Sequence, residues 1–153
     1  LVHPSYMDEK INGVAIVYYD NSNGYKVLKA NVVAQAGDVS ITNPVFRDIL
    51  PEQFIISYDP SSNDYSKSMV EFLSHSNLKL TLDWEYQLMD KADDLFSHYI
   101  LSKEQREKLL KQFHILLDET LARTGMPQNT KFDLEFKAGG ENNLVIKQMR
   151  PLE

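Results

Sequence analysis

The chain has 153 residues, 22 acidic against 16 basic side chains for a formal net charge of −6, and no cysteine. That length suits one domain or one large subdomain with a real core, the missing cysteines exclude disulfides, zinc–thiolate centres and thiol nucleophiles, and the acidic excess argues against a general nucleic-acid surface. No apolar run approaches the roughly 20 residues of a membrane span, and Leu1-Val2-His3-Pro4 carries neither a basic region nor a hydrophobic signal core, so a cytoplasmic protein is expected.

Gly13-Val14-Ala15-Ile16-Val17-Tyr18-Tyr19 is β-branched and aromatic, the composition of a strand largely buried on both faces. Asp20 to Gly24 supplies turn residues, with Asn23-Gly24 a hairpin signal. A second strand is predicted over roughly Tyr25 to Gln35. A turn at Ala36-Gly37-Asp38 and a short third strand over Val39 to Thr42 complete an antiparallel meander. Beyond Leu50-Pro51-Glu52, the apolar run Phe54-Ile55-Ile56 reads as a strand, Asp59 to Asp64 as a polar loop, and Met69 to His75 as a further strand.

Trp84, Leu88, Ala92, Leu95, Phe96 and Tyr99 recur at helical spacing and predict an amphipathic helix over about Asp83 to Tyr99. A second helix opens at Ser102-Lys103-Glu104-Gln105, a capping box in which hydroxyl and amide each satisfy the other residue's backbone N–H. Its apolar stripe is Leu109, Leu110, Phe113, Leu116, Leu117 and Leu121. Gly125 stands where a left-handed cap would close it, and Pro127 blocks continuation. Charges between Lys103 and Lys111 alternate in sign, as on a solvated face.

A terminal hairpin follows. In Lys131-Phe132-Asp133-Leu134-Glu135-Phe136 the alternation puts Asp133 and Glu135 on one face and the apolar residues on the other. Ala138 to Asn143 is the loop, and Leu144 to Arg150 returns with Leu144, Ile146, Gln148 and Arg150 sharing one parity. If register sets Asp133 and Glu135 beside Gln148 and Arg150, two carboxylates, an amide and a guanidinium share a patch about the size of a triphosphate, since strands lie about 4.8 Å apart. Magnesium takes one or two carboxylates plus phosphates and waters, and arginine grips phosphate bidentately. The competing reading is an exposed strand face whose opposite charges form ion pairs of little energetic weight.

The stretch Asp133-Leu134-Glu135-Phe136, then Leu144-Val145-Ile146-Lys147-Gln148-Met149-Arg150-Pro151, resembles the ATP-binding domain of the pyruvate phosphate dikinase and phosphoenolpyruvate synthase family. There an Asp-x-Glu strand precedes one ending in Gln-x-Arg-Pro. Gly13-Val14-Ala15 with the later Asn23-Gly24 is similar to that family's Gly-Val-Ala strand and turn; Ala34 to Val39 with Thr42-Asn43-Pro44, and Leu1 to Tyr6, resemble further segments of it. The resemblance covers most of the chain, although only the hairpin motif is specific. It implies that Glu135 and Asp133 hold magnesium, that Glu135, Gln148 and Asp133 contact the metal-bound ATP, and that Arg150 acts catalytically near the phosphates. Val17 to Asp20, Lys29 to Asn31 and His3 depart from the family pattern, so no contact is carried over to them.

The fold so implied is α+β, an antiparallel sheet with two helices packed on one face, the second lobe of an ATP-grasp fold spanning 1–151. Leu152-Glu153 reads as a vector-derived pair. The parent enzyme would pass a phosphoryl group from ATP through a histidine on another domain to pyruvate or a related acceptor. Its partners would be the N-terminal ATP-grasp lobe and the phosphohistidine domain, and the lobe by itself could dimerise through an exposed apolar face. The alternative is a degenerate, non-catalytic lobe kept for protein contact. His3, His75, His98 and His114 lack metal spacing. Gly139-Gly140 lacks the Lys-Ser/Thr and helix of a Walker loop, so it reads as a hairpin turn.

Overall fold

Residues 11–37, 49–80, 86–90, 98–139 and 143–152 are described by the computed structural model of the chain. Among them are the strands β1 (Ile11–Asp20), β2 (Val27–Ala36), β3 (Glu52–Tyr58), β4 (Met69–Ser74), β5 (Leu78–Leu80), β6 (Tyr86–Leu88), β7 (Phe132–Ala138) and β8 (Leu144–Pro151), and the helix α1 (Lys103–Thr124). Six strands make one antiparallel sheet in the order β4-β3-β2-β1-β7-β8, and β5 and β6 pair as a separate ribbon. The first four strands thus run as a meander, and the chain passes through α1 before adding β7 on the far side of β1. The turn between β1 and β2 is closed by the Gly24 N–H donating to Asn21 O at 3.0 Å, with Gly24 at φ 82°, a conformation that favours glycine.

Helix α1 covers one face of this sheet. Leu109, Leu110, Phe113, Leu117 and Leu121 are buried against Ala15, Val17, Leu28, Val32, Phe54, Ile56, Phe132, Leu134 and Phe136. Burying a side chain of this size contributes roughly 1.5–3 kcal/mol, so the interface dominates the stability of the fold. The helix begins and ends where its sequence says. The Gln105 N–H donates to Ser102 Oγ at 3.1 Å, the Ser102 N–H donates to Gln105 Oε1 at 2.9 Å, and Gly125 closes the far end at φ 68°.

Three further contacts hold the helix to the sheet. Gly13 faces Phe136 across β1 and β7, and a Cβ built on Gly13 would stand 2.1 Å from Phe136 Cζ. The missing side chain is the space in which that ring lies, edge-on to Phe113 of α1 at 6.3 Å between centroids. At the entry to α1, the buried Glu52 carboxylate accepts the N–H groups of Ile100 and Leu101, both at 3.0 Å, and Arg106 Nη1 donates to Leu101 O at 2.8 Å. Midway along, Tyr19 donates its hydroxyl proton to Asp118 Oδ1, Asp118 Oδ2 lies 3.3 Å from His114 Nε2, and His114 Nδ1 lies 2.9 Å from the hydroxyl of Tyr65. Burial and the Asp118 carboxylate raise the Tyr19 hydroxyl far above its ordinary range, so it stays a donor.

Several sequence expectations change. Strand β1 is not buried on both faces: Ile11, Ala15, Val17 and Tyr19 are buried, whereas Asn12, Val14, Ile16, Tyr18 and Asp20 are half-buried on the face away from α1. The expected helix over Asp83 to Tyr99 does not form at Tyr86–Leu88, which pairs with Leu78–Leu80, nor at His98 and Tyr99. Its spacing rested partly on Leu88 and Tyr99, which are exposed and bury no common stripe. Trp84, Ala92, Leu95 and Phe96 lie outside the described residues, as do the expected strand at Val39–Thr42, His3 and the segment Leu1–Tyr6. The described residues therefore include one helix on the sheet rather than the two expected.

Substituting Gly13 by alanine should lower stability by about 1–3 kcal/mol through overpacking, read as a drop in the urea midpoint. Most of that loss should disappear when Phe136→Leu is the background. Burial raises the Glu52 carboxyl above the ordinary carboxylate range, against the opposing pull of the Leu101 and Ile100 amides and Arg106. The native state then holds this proton more tightly than the unfolded chain, so Glu52 adds stability as pH falls from its raised value towards the ordinary one. That increment, measured by urea unfolding at successive pH values, should vanish in Glu52→Gln. The substitution should itself cost about 1–3 kcal/mol at neutral pH, because its NH₂ faces one of the two amides.

Candidate functional site

The face of the sheet away from α1 is a grid whose rows cross the strands. One row runs Gln53, Val33, Val14, Glu135, Gln148; the next runs Ile55, Asn31, Ile16, Asp133, Arg150. Beyond them lie Ser57, Lys29 and Tyr18 in register, with Lys131 Nζ 4.8 Å from the centre of the Tyr18 ring. The four residues singled out by the hairpin motif are therefore brought together, Asp133 directly opposite Arg150 and Glu135 directly opposite Gln148.

Their meeting depends on a feature that parity alone does not reveal. The register slips between Glu135 and Phe136: Glu135 opposes Gln148, but Phe136 opposes Ile146, leaving Lys147 as the extra residue of a β-bulge. The expected single parity of Leu144, Ile146, Gln148 and Arg150 is thereby split. Leu144 and Ile146 pack against the core together with Met149, while Gln148 and Arg150 are exposed beside the two carboxylates. An unbroken strand would have aimed Gln148 and Arg150 at the core.

The quartet is unevenly engaged. Arg150 Nε donates to Asp133 Oδ2 at 3.2 Å, with the arginine side chain 65% exposed, a pair that water screens heavily. Glu135 and Gln148 are exposed, and among the described residues neither forms a side-chain hydrogen bond or ion pair. Asp133 and Glu135 stand two residues apart on one strand, a spacing of about 6.8 Å. No group of three or more His, Cys, Asp or Glu residues able to hold a metal occurs among the described residues. The set is thus not an all-protein cage; two carboxylates facing solvent suit magnesium, which retains waters and completes its shell with phosphates.

Two clefts of about 200 and 220 Å³ lie on the helix side of the sheet, away from this patch. Ser66, Ser68, Lys103 and Arg106 line the first, and Arg123, Met126, Phe132 and Met149 the second. The candidate site is instead an open strand surface. The described histidines serve elsewhere: His75 stacks on Phe72, His98 reaches Leu78 O, and His114 joins the Tyr65–Asp118 contacts. The Gly139 N–H donates to Asn143 O at 2.7 Å, closing the hairpin rather than cradling phosphate. Tyr18, Lys29 and Lys131 were not singled out by the hairpin motif. Alternation in β1 and β2, extended across the sheet, would have found them.

A double-mutant cycle of Asp133→Asn with Arg150→Gln, measured by urea unfolding, should return a coupling below about 1 kcal/mol that shrinks further in salt. Comparison with known proteins adds no relative: no family model, curated protein or solved structure matches the chain.

Proposed function

We propose that the chain is the second lobe of an ATP-grasp domain of the pyruvate phosphate dikinase and phosphoenolpyruvate synthase type, binding magnesium–ATP for phosphoryl transfer to a histidine on another domain. What supports this reading is the pairing of Glu135 with Gln148 and of Asp133 with Arg150 on an open sheet face, achieved through a bulge that turns both β8 side chains away from the core.

In this reading Glu135, which has no competing partner among the described residues, is the principal magnesium ligand, and Asp133 is the second carboxylate. Bound magnesium would neutralise charge on the β- and γ-phosphates. Gln148 offers an amide to a phosphate oxygen or to a metal-bound water, and Arg150 exchanges its exposed contact with Asp133 for one with phosphate. Because the opposing lobe supplies half the site, the chain alone is expected to bind without turning over. A non-catalytic lobe used for protein contact is the second reading, favoured by the exposed Met69 and Leu73 on the same face.

Titration of the chain with magnesium–ATP, followed by backbone amide NMR, tests the proposal. Shifts that require magnesium and centre on Asp133 to Glu135 and Gln148 to Arg150 are expected, weakened about tenfold or more in Glu135→Gln, as for a lost charge-assisted contact. No response at millimolar nucleotide would reject the preformed half-site.

A further inference from the structure

We infer that Lys29 and Lys131, flanking Tyr18 at the end of the open face, form an anion-binding row for the terminal phosphates of the nucleotide. The inference rests on the magnesium–ATP reading and extends it to residues outside the hairpin motif. Lys29 sits opposite Tyr18 on β2. Lys131 approaches the same ring from the other side, just before β7, its Nζ 4.8 Å from the ring centre. The two lysines thus stand on either side of one aromatic residue, Lys131 over its ring and Lys29 turned towards Ser57 of β3, in the row adjoining Asp133 and Arg150.

The partners these lysines now hold leave their charge available. Lys29 Nζ donates to Ser57 Oγ at 2.9 Å, a neutral acceptor, and Lys131 lies over an aromatic face, a contact of modest strength when exposed. The acidic side chain that both sense is Asp20, next along β1 on the same face. Asp20 is occupied by the turn: its Oδ1 accepts the Ser22 N–H at 2.9 Å. The Ser22 hydrogen bonds come first among the causes holding its carboxyl below the usual range, and the two lysines last.

Cations stand at both ends of the face, with Lys137, in register with Asn12, beyond Glu135 at one end. Lys29, Lys131 and Arg150 occupy its last two rows, whereas Gln53, Val33, Val14, Glu135 and Gln148 make a row without a cation. A ligand with its most negative end over Lys29 and Lys131 and its metal over Glu135 and Asp133 satisfies both signs. The reverse orientation would offer the phosphates Lys137 in place of Lys29 and Lys131.

Inorganic tripolyphosphate in the presence of a chelator isolates the row, because without a metal the carboxylates only repel it. Saturable amide shifts centred on Tyr18, Lys29 and Lys131 are expected. Affinity should fall about tenfold in the double variant Lys29→Gln/Lys131→Gln, as for loss of charge-assisted contacts. It should rise about twofold in Asp20→Asn, which keeps the acceptor for Ser22 but removes the competing charge. Shifts that are absent, do not saturate, or are unchanged in the double variant would overturn the inference. If tripolyphosphate leaves the row unmoved while magnesium–ATP still moves Glu135 and Gln148, the row is wrong and the nucleotide reading stands. If the row binds tripolyphosphate but magnesium–ATP never reaches Glu135, the nucleotide reading fails, and the assignment of the row to a nucleotide fails with it.

Discussion

A helix packed against one face of an antiparallel sheet locks the register of every strand beneath it. Side chains alternate with a period of two, so a slip of one residue in β7 would drive Asp133 and Glu135 under α1 and expel Phe132, Leu134 and Phe136. The positions on the open face are thus fixed by the apolar residues behind them. Gly13 belongs to the same arrangement: the ring of Phe136 occupies the room a side chain would need. The backbone of the open face is accordingly held by the same apolar contacts that build the core.

Two glutamates differ in placement, one enclosed by backbone amides and the other facing solvent. Glu52 is buried, and both its oxygens are taken by backbone amides at the approach to α1, where a carboxylate also faces the positive end of the helix dipole. Its raised proton affinity follows from burial and points to no reaction. Glu135 is exposed, with neither hydrogen bond nor ion pair among the described residues. The perturbed titration of Glu52 thus reflects its structural place, and Glu135 is set apart by its exposure.

Much of this was legible in the sequence, wherever local chemistry decides the outcome. The capping box at Ser102, the stripe from Leu109 to Leu121 and the closing Gly125 define α1 without reference to anything else in the chain. The β-branched runs gave β1 to β3, and the alternation around Asp133 and Glu135 gave β7 its two faces. What could not be read depends on distant partners. Whether β1 is covered on one face or two depends on what packs there, and its composition is the same in either case. Tyr86 to Leu88 carries a spacing compatible with a helix, yet it pairs with Leu78 to Leu80. The bulge at Lys147 shows in β8 only as two successive polar residues, Lys147-Gln148, which shift the apolar phase from Leu144 and Ile146 to Met149. The structure pairs Asp133 with Arg150 and Glu135 with Gln148, although the single parity expected for β8 puts Gln148 and Arg150 on the face of Leu144 and Ile146.

The bulge at Lys147 also bears on how the molecule meets its own copies. Strand β8 ends the sheet, and a straight outermost strand offers a ladder of backbone groups to which another chain can add. Here the ladder is interrupted by an extra residue that is itself an exposed lysine, followed by the exposed Arg150, and terminated by Pro151, which has no N–H to donate. Each of these features discourages strand addition. The residue that turns Gln148 and Arg150 towards the carboxylates therefore also makes this border of the sheet a poor template for aggregation.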